Sequence, residues 1–189
     1  MSHYPRGNPR SSGYERNDND WYIEPTSAVF ALLYKEEFTG GIHDPSCGSG
    51  NIPICCNAYG YNATGADIVD RGYGEVQDFL LDIGRYDNII SNPPFDIATE
   101  FTLRALDSLT CDSGKVCILQ RLAWLEGRRR YDILFGPGHL HKLYTFSNRI
   151  SMPPGGKDIP AKGGSIAFAW FVFGREGRPS YEGSWVTAE

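Results

Sequence analysis

The chain has 189 residues, a length that most simply forms one domain with its own hydrophobic core. Hydrophobic residues make up 41% and charged residues 22%, which are ordinary values for a globular domain. No apolar run approaches the roughly 20 residues that a membrane span needs, and the polar start lacks the apolar core of a signal peptide. We therefore expect a soluble, cytoplasmic protein with no membrane partner.

Cysteine, histidine and charge patterns narrow the class further. The five cysteines form no Cys-x-x-Cys pair and the four histidines lack metal-ligand spacing, so neither a disulfide framework nor a metal site is expected. The net charge is −5, but it is unevenly distributed. Residues 1–100 carry 15 Asp/Glu and 6 Lys/Arg, whereas residues 101–189 carry 8 Asp/Glu and 12 Lys/Arg. This asymmetry suits a protein that meets an anion on one face only.

In chain order, a polar start is followed by alternating helices and strands. Residues 1–20 are rich in Ser, Asn, Gly and Asp, and we expect a disordered tail. Apolar periodicity and Gly/Pro breaks predict helices over 25–38, 51–58, 97–109 and 122–135. Strands are predicted over 42–44, 61–67, 75–80, 86–91, 115–120, 142–149 and 166–173.

This order of elements predicts the fold class. Alternating strands and helices that end in a hairpin favour a Rossmann-like three-layer α/β sandwich, with a mostly parallel seven-stranded sheet and one antiparallel strand near the C-terminus. Residues 21–175 would form this single domain, and residues 176–189 a C-terminal tail. The segment 152–164 is too rich in Gly and Pro for regular structure.

The segment Asn92-Pro-Pro-Phe95 directly follows the predicted strand 86–91. Two consecutive prolines end a sheet ladder and stiffen the turn, because neither can donate a backbone hydrogen bond. The Asn92 amide, the Pro93 carbonyl and the Phe95 ring are therefore held at the carboxyl end of a strand, where open α/β sheets bind ligands. They suit a flat, hydrogen-bonding substrate such as a nucleobase, although Pro-Pro alone also serves as a plain strand terminator.

A glycine loop, Asp44-Pro-Ser-Cys-Gly-Ser-Gly50, lies between a predicted strand and a predicted helix. Such a loop lets the backbone approach a ligand closely, and it fits a dinucleotide or another adenosyl cofactor. Pro53 replaces the third glycine of the dinucleotide fingerprint and Asp44 would repel a pyrophosphate, so a cationic, amine-bearing ligand fits better. Asp67 ends the next predicted strand, where an acid accepts hydrogen bonds from ribose hydroxyls.

With both motifs in this order, the chain resembles the Class I S-adenosylmethionine-dependent methyltransferases, specifically the amino-methylating group that acts on adenine N6 in DNA. The resemblance runs from about residue 21 to residue 173, and segments 146–149 and 170–173 resemble the small enzymes of phages and prophages. It implies a domain that binds S-adenosylmethionine, takes up a flipped adenine and methylates its exocyclic amine.

The resemblance also implies roles for individual residues. Asn92, Pro93, Pro94 and Phe95 would form the catalytic turn, with Asn92 also contacting the cofactor and Phe95 stacking on the target base. Phe146 is a candidate for the other face of the base and equally a candidate core aromatic. The remaining residues implied to bind the cofactor are Tyr22, Pro25, Thr26, Asp44, Ser46, Cys47, Gly48, Gly50, Asp67, Ile68, Asp78 and Phe79.

Basic residues of the second half are candidates to contact phosphates, although a solvated helix end is the plain alternative for residues 128–130. Larger family members carry a target-recognition domain for which this chain has no room. The loop 150–165, relaxed specificity, a homodimer or a separate specificity subunit would have to replace it. The candidate phosphate contacts are Arg128, Arg129, Arg130, Lys142, Arg149, Lys157 and Lys162.

The motifs leave other functions open. The same turn serves enzymes that modify adenine or guanine amines in RNA, or a glutamine amide in a protein. A second class is a non-catalytic subunit that keeps the fold and binds DNA or RNA, but the intact set of Asp44, Asp67 and Asn92 argues against it. A dehydrogenase is disfavoured by Pro53 and by the Pro-Pro turn.

Overall fold

The computed structural model describes residues 21–156 and 164–188, whose strands form an eight-stranded mixed sheet covered by helices. The helices are α1 (Thr26–Lys35), α2 (Asn51–Tyr59), α3 (Ala98–Ser108) and the short α4 (Arg128–Arg130), which continues into a π-helical turn, Tyr131–Phe135. The strands are β1 (Ile42–Asp44), β2 (Ala63–Asp67), β3 (Glu75–Val76), β4 (Asn88–Ser91), β5 (Val116–Arg121), β6 (Leu140–Phe146), β7 (Phe168–Phe173) and β8 (Glu182–Val186).

The sheet order is β3-β2-β1-β4-β5-β7-β6-β8, so the direction in which strands are added reverses between β1 and β4. These two strands are parallel, with Ile42 paired to Asn88, and the loops that follow them diverge from the same edge. Such a topological switch point opens a crevice at the carboxyl ends of the strands. On the other side of β4, β7 runs antiparallel to both β5 and β6.

Successive residues of the central strands point to opposite faces of the sheet, which produces two separate cores. Ile90 packs with Leu32 of α1 and Ile52 of α2, whereas Ile89 packs with Phe101 of α3. Both isoleucines are fully buried. A strand covered on both faces can carry adjacent apolar residues, as β4 does at Ile89 and Ile90.

The predicted α/β sandwich, with its mostly parallel sheet and one antiparallel strand near the C-terminus, is confirmed. The predicted number of seven strands is wrong, because residues 182–186, assigned from the sequence to a tail, form β8 along β6. Val186 is the buried residue of this strand and the other four are exposed, so the alternating apolar pattern that marks a strand is absent.

Two further elements differ from the predictions. The helix predicted over 122–135 is broken, because Gly127 adopts a φ of 116° between a 3₁₀ turn, Leu122–Leu125, and α4. The strand predicted over 75–80 stops at residue 76, since the Asp78 carboxylate accepts the Leu80 N–H in a turn. The predicted tail 1–20 lies outside the described residues. Within the described ranges, no helix is long and apolar enough to cross a bilayer.

Candidate active site

A pocket of about 480 Å³ lies at the carboxyl ends of β1, β2 and β4, where the topology places the crevice. Pro94, from the turn predicted to be catalytic, also lines this pocket. Pro25, Thr26 and Gly50 are not part of the lining and instead begin α1 and α2. The predicted cofactor residues that line the pocket are Tyr22, Asp44, Ser46, Cys47, Gly48, Asp67, Ile68, Asp78, Phe79 and Asn92.

The glycine loop after β1 is fixed by close packing. Gly48 and Gly50 have φ values of 54° and 89°, in the left-handed region that favours glycine. A Cβ on Gly48 would lie 2.6 Å from Nε1 of Trp21, and one on Gly50 would lie 2.3 Å from the ring of Tyr73. The Gly48 N–H donates to Oδ2 of Asp67 at 2.9 Å, so the loop is also tied to the end of β2.

Asp44, at the end of β1, is bonded across the sheet to β4. The Ser91 hydroxyl donates to Oδ1 of Asp44 at 2.7 Å, and the Ser46 N–H donates to the same oxygen at 3.1 Å. Asp44 is 2% exposed, and this burial raises the pKa of its carboxyl group well above the usual value, against the effect of the Ser91 hydrogen bond. Asp44 is therefore a buried carboxyl group that pairs with no basic residue of the segments 21–156 and 164–188.

Asn92 is oriented by the segment that precedes α1. Its Nδ2 donates to the Tyr22 carbonyl and to Oε2 of Glu24, each at 2.9 Å. Because both partners are acceptors, the amide nitrogen must face them. The amide oxygen accepts no hydrogen bond from residues 21–156 or 164–188, and the side chain lines the pocket. The acceptor end of the amide is therefore left for a donor that is not part of these segments.

Glu24 supports Asn92, and no sequence pattern predicts an individual role for it. Its Oε1 also accepts a hydrogen bond from Nδ2 of Asn51 at 3.0 Å, so two amides hold one carboxyl group. Burial raises the pKa of Glu24, while the hydrogen bonds from Asn92 and Asn51 oppose that rise. The side chain is 7% exposed.

Glu24, Asp44 and Asp67 bring three buried carboxyl groups to one pocket. Nε of Arg71 lies 3.7 Å from Asp67, but neither Glu24 nor Asp44 pairs with a Lys or Arg of the described segments. In those segments, no group of three or more His, Cys, Asp or Glu is arranged to hold a metal ion. Buried acids without compensating cations favour an organic cation as ligand.

The Asp44→Asn substitution is expected to stabilise the ligand-free protein at neutral pH. A raised folded-state pKa means that the stabilising contribution of the protonated group is complete below the usual pKa of 3.8 and is lost as the pH rises through the folded-state pKa. Asparagine keeps the acceptor for Ser91 but never ionises. Thermal unfolding at pH 7 should show a higher Tm, by about 2–4 °C for each kcal/mol gained.

Asp87→Asn is the matched control for this prediction. Asp87 is a partly exposed acid whose pKa is lowered by hydrogen bonds from the Gly41 N–H and the Thr110 hydroxyl, so the sign of the effect is reversed. Its contribution is present above the usual pKa and is lost as the pH falls through the lowered value. The substitution should lower Tm at pH 7. Equal changes in Tm for the two variants would contradict the assigned burial of Asp44.

Phe95 lies beside the pocket rather than in its lining. Its ring is nearly parallel to that of Tyr22, at a centroid distance of 5.7 Å, and 6.0 Å from that of Phe168. The guanidinium carbon of Arg121 is 4.3 Å from the Phe95 centroid. Phe146 is 8% exposed and belongs to the core cluster against which Phe95 packs, which agrees with its alternative interpretation as a core aromatic.

The basic residues proposed to meet phosphates are dispersed. Arg128 and Arg129 each form an ion pair with an acid of the chain at 2.9 Å. Lys142 pairs with Glu36 at 2.7 Å, at the opposite edge of the sheet from the pocket. Arg149 is exposed after the end of β6. Arg130 donates to backbone carbonyls of the preceding turn. Outside the described residues lie Lys157 and Lys162.

Comparison with protein-family models and with curated proteins finds no match. Several solved structures share the fold. A provisionally assigned RNA methyltransferase from Pyrococcus horikoshii is 17% identical, with a TM-score of 0.63 over 84% of this chain and 88% of that one. A TehB-like SAM-dependent methyltransferase from Corynebacterium glutamicum is 15% identical, with a TM-score of 0.53 over 79% and 88% of the two chains.

A third solved structure with this fold is larger. It is a methyltransferase subunit of a type I restriction-modification system from Streptococcus thermophilus, 14% identical, with a TM-score of 0.57 over 84% of this chain. The matched region is 44% of that subunit, so the chain spans less than half of it. At such identities the similarity shows the fold alone, which is that of the methyltransferases.

Proposed function

We propose that the protein transfers a methyl group from S-adenosylmethionine to the exocyclic N6 amine of adenine in DNA. The observation that carries the proposal is the orientation of Asn92. Its amide nitrogen is hydrogen-bonded to Tyr22 and Glu24, which leaves its oxygen as an acceptor beside an acidic pocket that Gly48 helps to line. An acceptor for an amine next to a site for a cation is the arrangement that amine methylation needs.

The acidic lining of the pocket and the tight loop at Gly48 support S-adenosylmethionine as the ligand. Glu24 and Asp44 would hold its ammonium group, and the tight loop at Gly48 would let the backbone approach its amino-acid portion. Asp67, at the end of β2, would accept from the ribose hydroxyls, and Asp78 from the adenine amino group. When bound, this cofactor supplies an electrophilic methyl group on a sulfonium centre.

The protein residues would act mainly by positioning. The lone pair of an exocyclic amine is delocalised into the ring, so the amine is a weak nucleophile. The Asn92 oxygen and the Pro93 carbonyl would accept its two N–H groups and aim its lone pair into the pocket. After transfer, the extra proton on nitrogen would pass to solvent. Burial raises the pKa of Cys47 to about 12, so this pocket thiol stays protonated and is not a competing nucleophile.

An amine in RNA is the second candidate acceptor. The fold is shared with a provisionally assigned RNA methyltransferase as well as with a restriction-modification methyltransferase subunit. The Asn92 geometry serves both acceptors equally, and it also suits a glutamine amide in a protein. DNA is preferred because the glycine loop and the Asn92-Pro-Pro-Phe95 turn, in this order, resemble those of the amino-methylating enzymes that act on adenine in DNA.

Labelled S-adenosylmethionine incubated separately with DNA, RNA and protein acceptors tests the choice. We expect label in DNA, as N6-methyladenine. If RNA or protein were labelled while DNA stayed unlabelled, the acceptor would be RNA or protein instead of DNA, and methyl transfer from S-adenosylmethionine would still hold. Calorimetry that shows no binding of the cofactor would instead support a non-catalytic subunit with this fold.

Target recognition would come from a second copy of the chain, from a separate subunit or from the loop 150–165. The described part of this loop is attached to the pocket, because the Ile23 N–H donates to Pro153 O and the Gly155 N–H donates to Trp21 O. Trp21 itself lines the pocket. Mass measurement of the protein with and without a DNA duplex would separate the homodimer from the monomer.

A further inference from the structure

Two consecutive residues at the carboxyl end of β5 carry buried N–H donors without an acceptor. Nε2 of Gln120 and Nε of Arg121 have no hydrogen-bond partner in the described part of the chain. The other end of the Gln120 amide is engaged, since its oxygen accepts the Arg121 backbone N–H at 2.8 Å. Buried donors are rarely left unpaired in native proteins, so such a group calls for an explanation.

Of these two residues, Arg121 is the one that has solvent-exposed surface, although its Nε is itself buried. Gln120 is 1% exposed, whereas Arg121 is partly exposed at the end of the strand. The guanidinium has no carboxylate partner among residues 21–156 and 164–188, in which the other ion pairs involve different basic residues. The guanidinium carbon lies over the face of the Phe95 ring, 4.3 Å from the ring centroid. A cation held on an aromatic ring without a counter-ion is suited to receive an anion.

The topology places this cation on the acceptor side of the site. β5 lies next to β4, with Ile118 paired to Ser91, so the end of β5 adjoins the turn that begins at Asn92. Arg121 and Phe95 are both absent from the lining of the cofactor pocket. A ligand held by Arg121 would therefore lie against the catalytic turn without occupying the cofactor site.

We propose that Arg121 binds the phosphate of the nucleotide whose base is methylated, an inference that rests on the proposed nucleic-acid substrate. The guanidinium covers the ring on which the flipped base is expected to stack. Base and guanidinium are both flat groups that pack on an aromatic face, so the base replaces the guanidinium on Phe95. The displaced guanidinium then donates to the phosphate oxygens, for which its planar fork is suited.

The experiment measures binding rather than turnover, so it does not depend on methyl transfer. A fluorescein-labelled, short single-stranded DNA is titrated with the protein at several salt concentrations, with S-adenosylhomocysteine present. Arg121→Gln should weaken DNA binding about tenfold, as expected for loss of one charge-assisted contact. The slope of log K against log salt should fall by about 0.7, which corresponds to one phosphate on a single strand. Arg121→Lys should restore the slope, because a lysine keeps the charge.

Arg178→Gln is the matched control. Arg178 is exposed, follows the end of the antiparallel strand β7 and therefore lies at the edge of the sheet opposite the pocket. The Arg178→Gln substitution removes the same charge, and we expect no change in the slope of log K against log salt.

Thermal unfolding and cofactor calorimetry on Arg121→Gln should match the unmodified protein. The proposal would be overturned if the slope of log K against log salt were the same for Arg121→Gln and Arg178→Gln. It would also be overturned if the wild-type protein bound no DNA. DNA binding without methyl transfer would refute the proposed function and leave the phosphate site standing.

Discussion

Asn92→Ala is expected to reduce methyl transfer by about 10²–10³-fold or more, the range seen when one group that stabilises the transition state is removed. The reason is that alanine cannot accept the N–H of the target amine. Cofactor affinity should change little, because Glu24 and Asp44 remain in the pocket. Single-turnover transfer and calorimetry on the same preparation measure the two effects separately.

Asn51→Ala provides the control for the Asn92 prediction. Asn51 also donates an amide hydrogen bond to Glu24, but it follows the glycine loop and is not part of the catalytic turn. Loss of the Asn51 side chain should disturb Glu24. Asn51→Ala should nevertheless lower methyl transfer far less than Asn92→Ala does. If Asn92→Ala retained wild-type turnover, the acceptor role of the amide oxygen would be refuted.

Asp67→Ala is expected to weaken cofactor binding first, by about 10- to 100-fold, which is the range for loss of charge-assisted hydrogen bonds. Two effects add in this variant. The carboxylate would no longer receive the ribose hydroxyls, and the Gly48 N–H would lose its acceptor, so the glycine loop after β1 would be released from β2. Transfer at saturating cofactor should recover a large part of the wild-type rate.

Asp70→Ala is the control for Asp67. Asp70 is an exposed acid three residues further on, and it accepts the Gly72 N–H within its own turn. We expect cofactor affinity in this variant to match that of the unmodified protein. The assigned role fails if calorimetry finds equal affinities for Asp67→Ala and wild type, or if Asp70→Ala weakens binding as strongly.

The elements that were predicted well are those with a strong local signal. β4 has two adjacent isoleucines followed by the Pro-Pro turn, and α3 has a clear apolar face, so both were located within two residues. The turn after β4 and the glycine loop after β1 were placed at one edge by the rule that parallel strands share it, and the structure brings them together.

The residues that were missed depend on contacts between distant segments. Glu24 accepts a hydrogen bond from Asn92, 68 residues away in the sequence, and Ser91 donates one to Asp44, 47 residues away. Both lie beside predicted site residues, but their own hydrogen-bond partners are far away in the sequence, so no local pattern assigns them a role. The donor left unpaired on Arg121 is likewise visible only when burial is known. β8 was missed because an exposed edge strand with one buried residue has no apolar alternation.

We propose that Asn92 presents an amine of DNA adenine to a methyl donor in the acidic pocket. Mass spectrometry of nucleosides from the DNA of cells that express either the wild-type protein or Asn92→Ala tests this role most directly. We expect N6-methyladenine with the wild-type protein and none above background with the variant. Absence of the modified base from wild-type DNA, or equal amounts with both proteins, would contradict it.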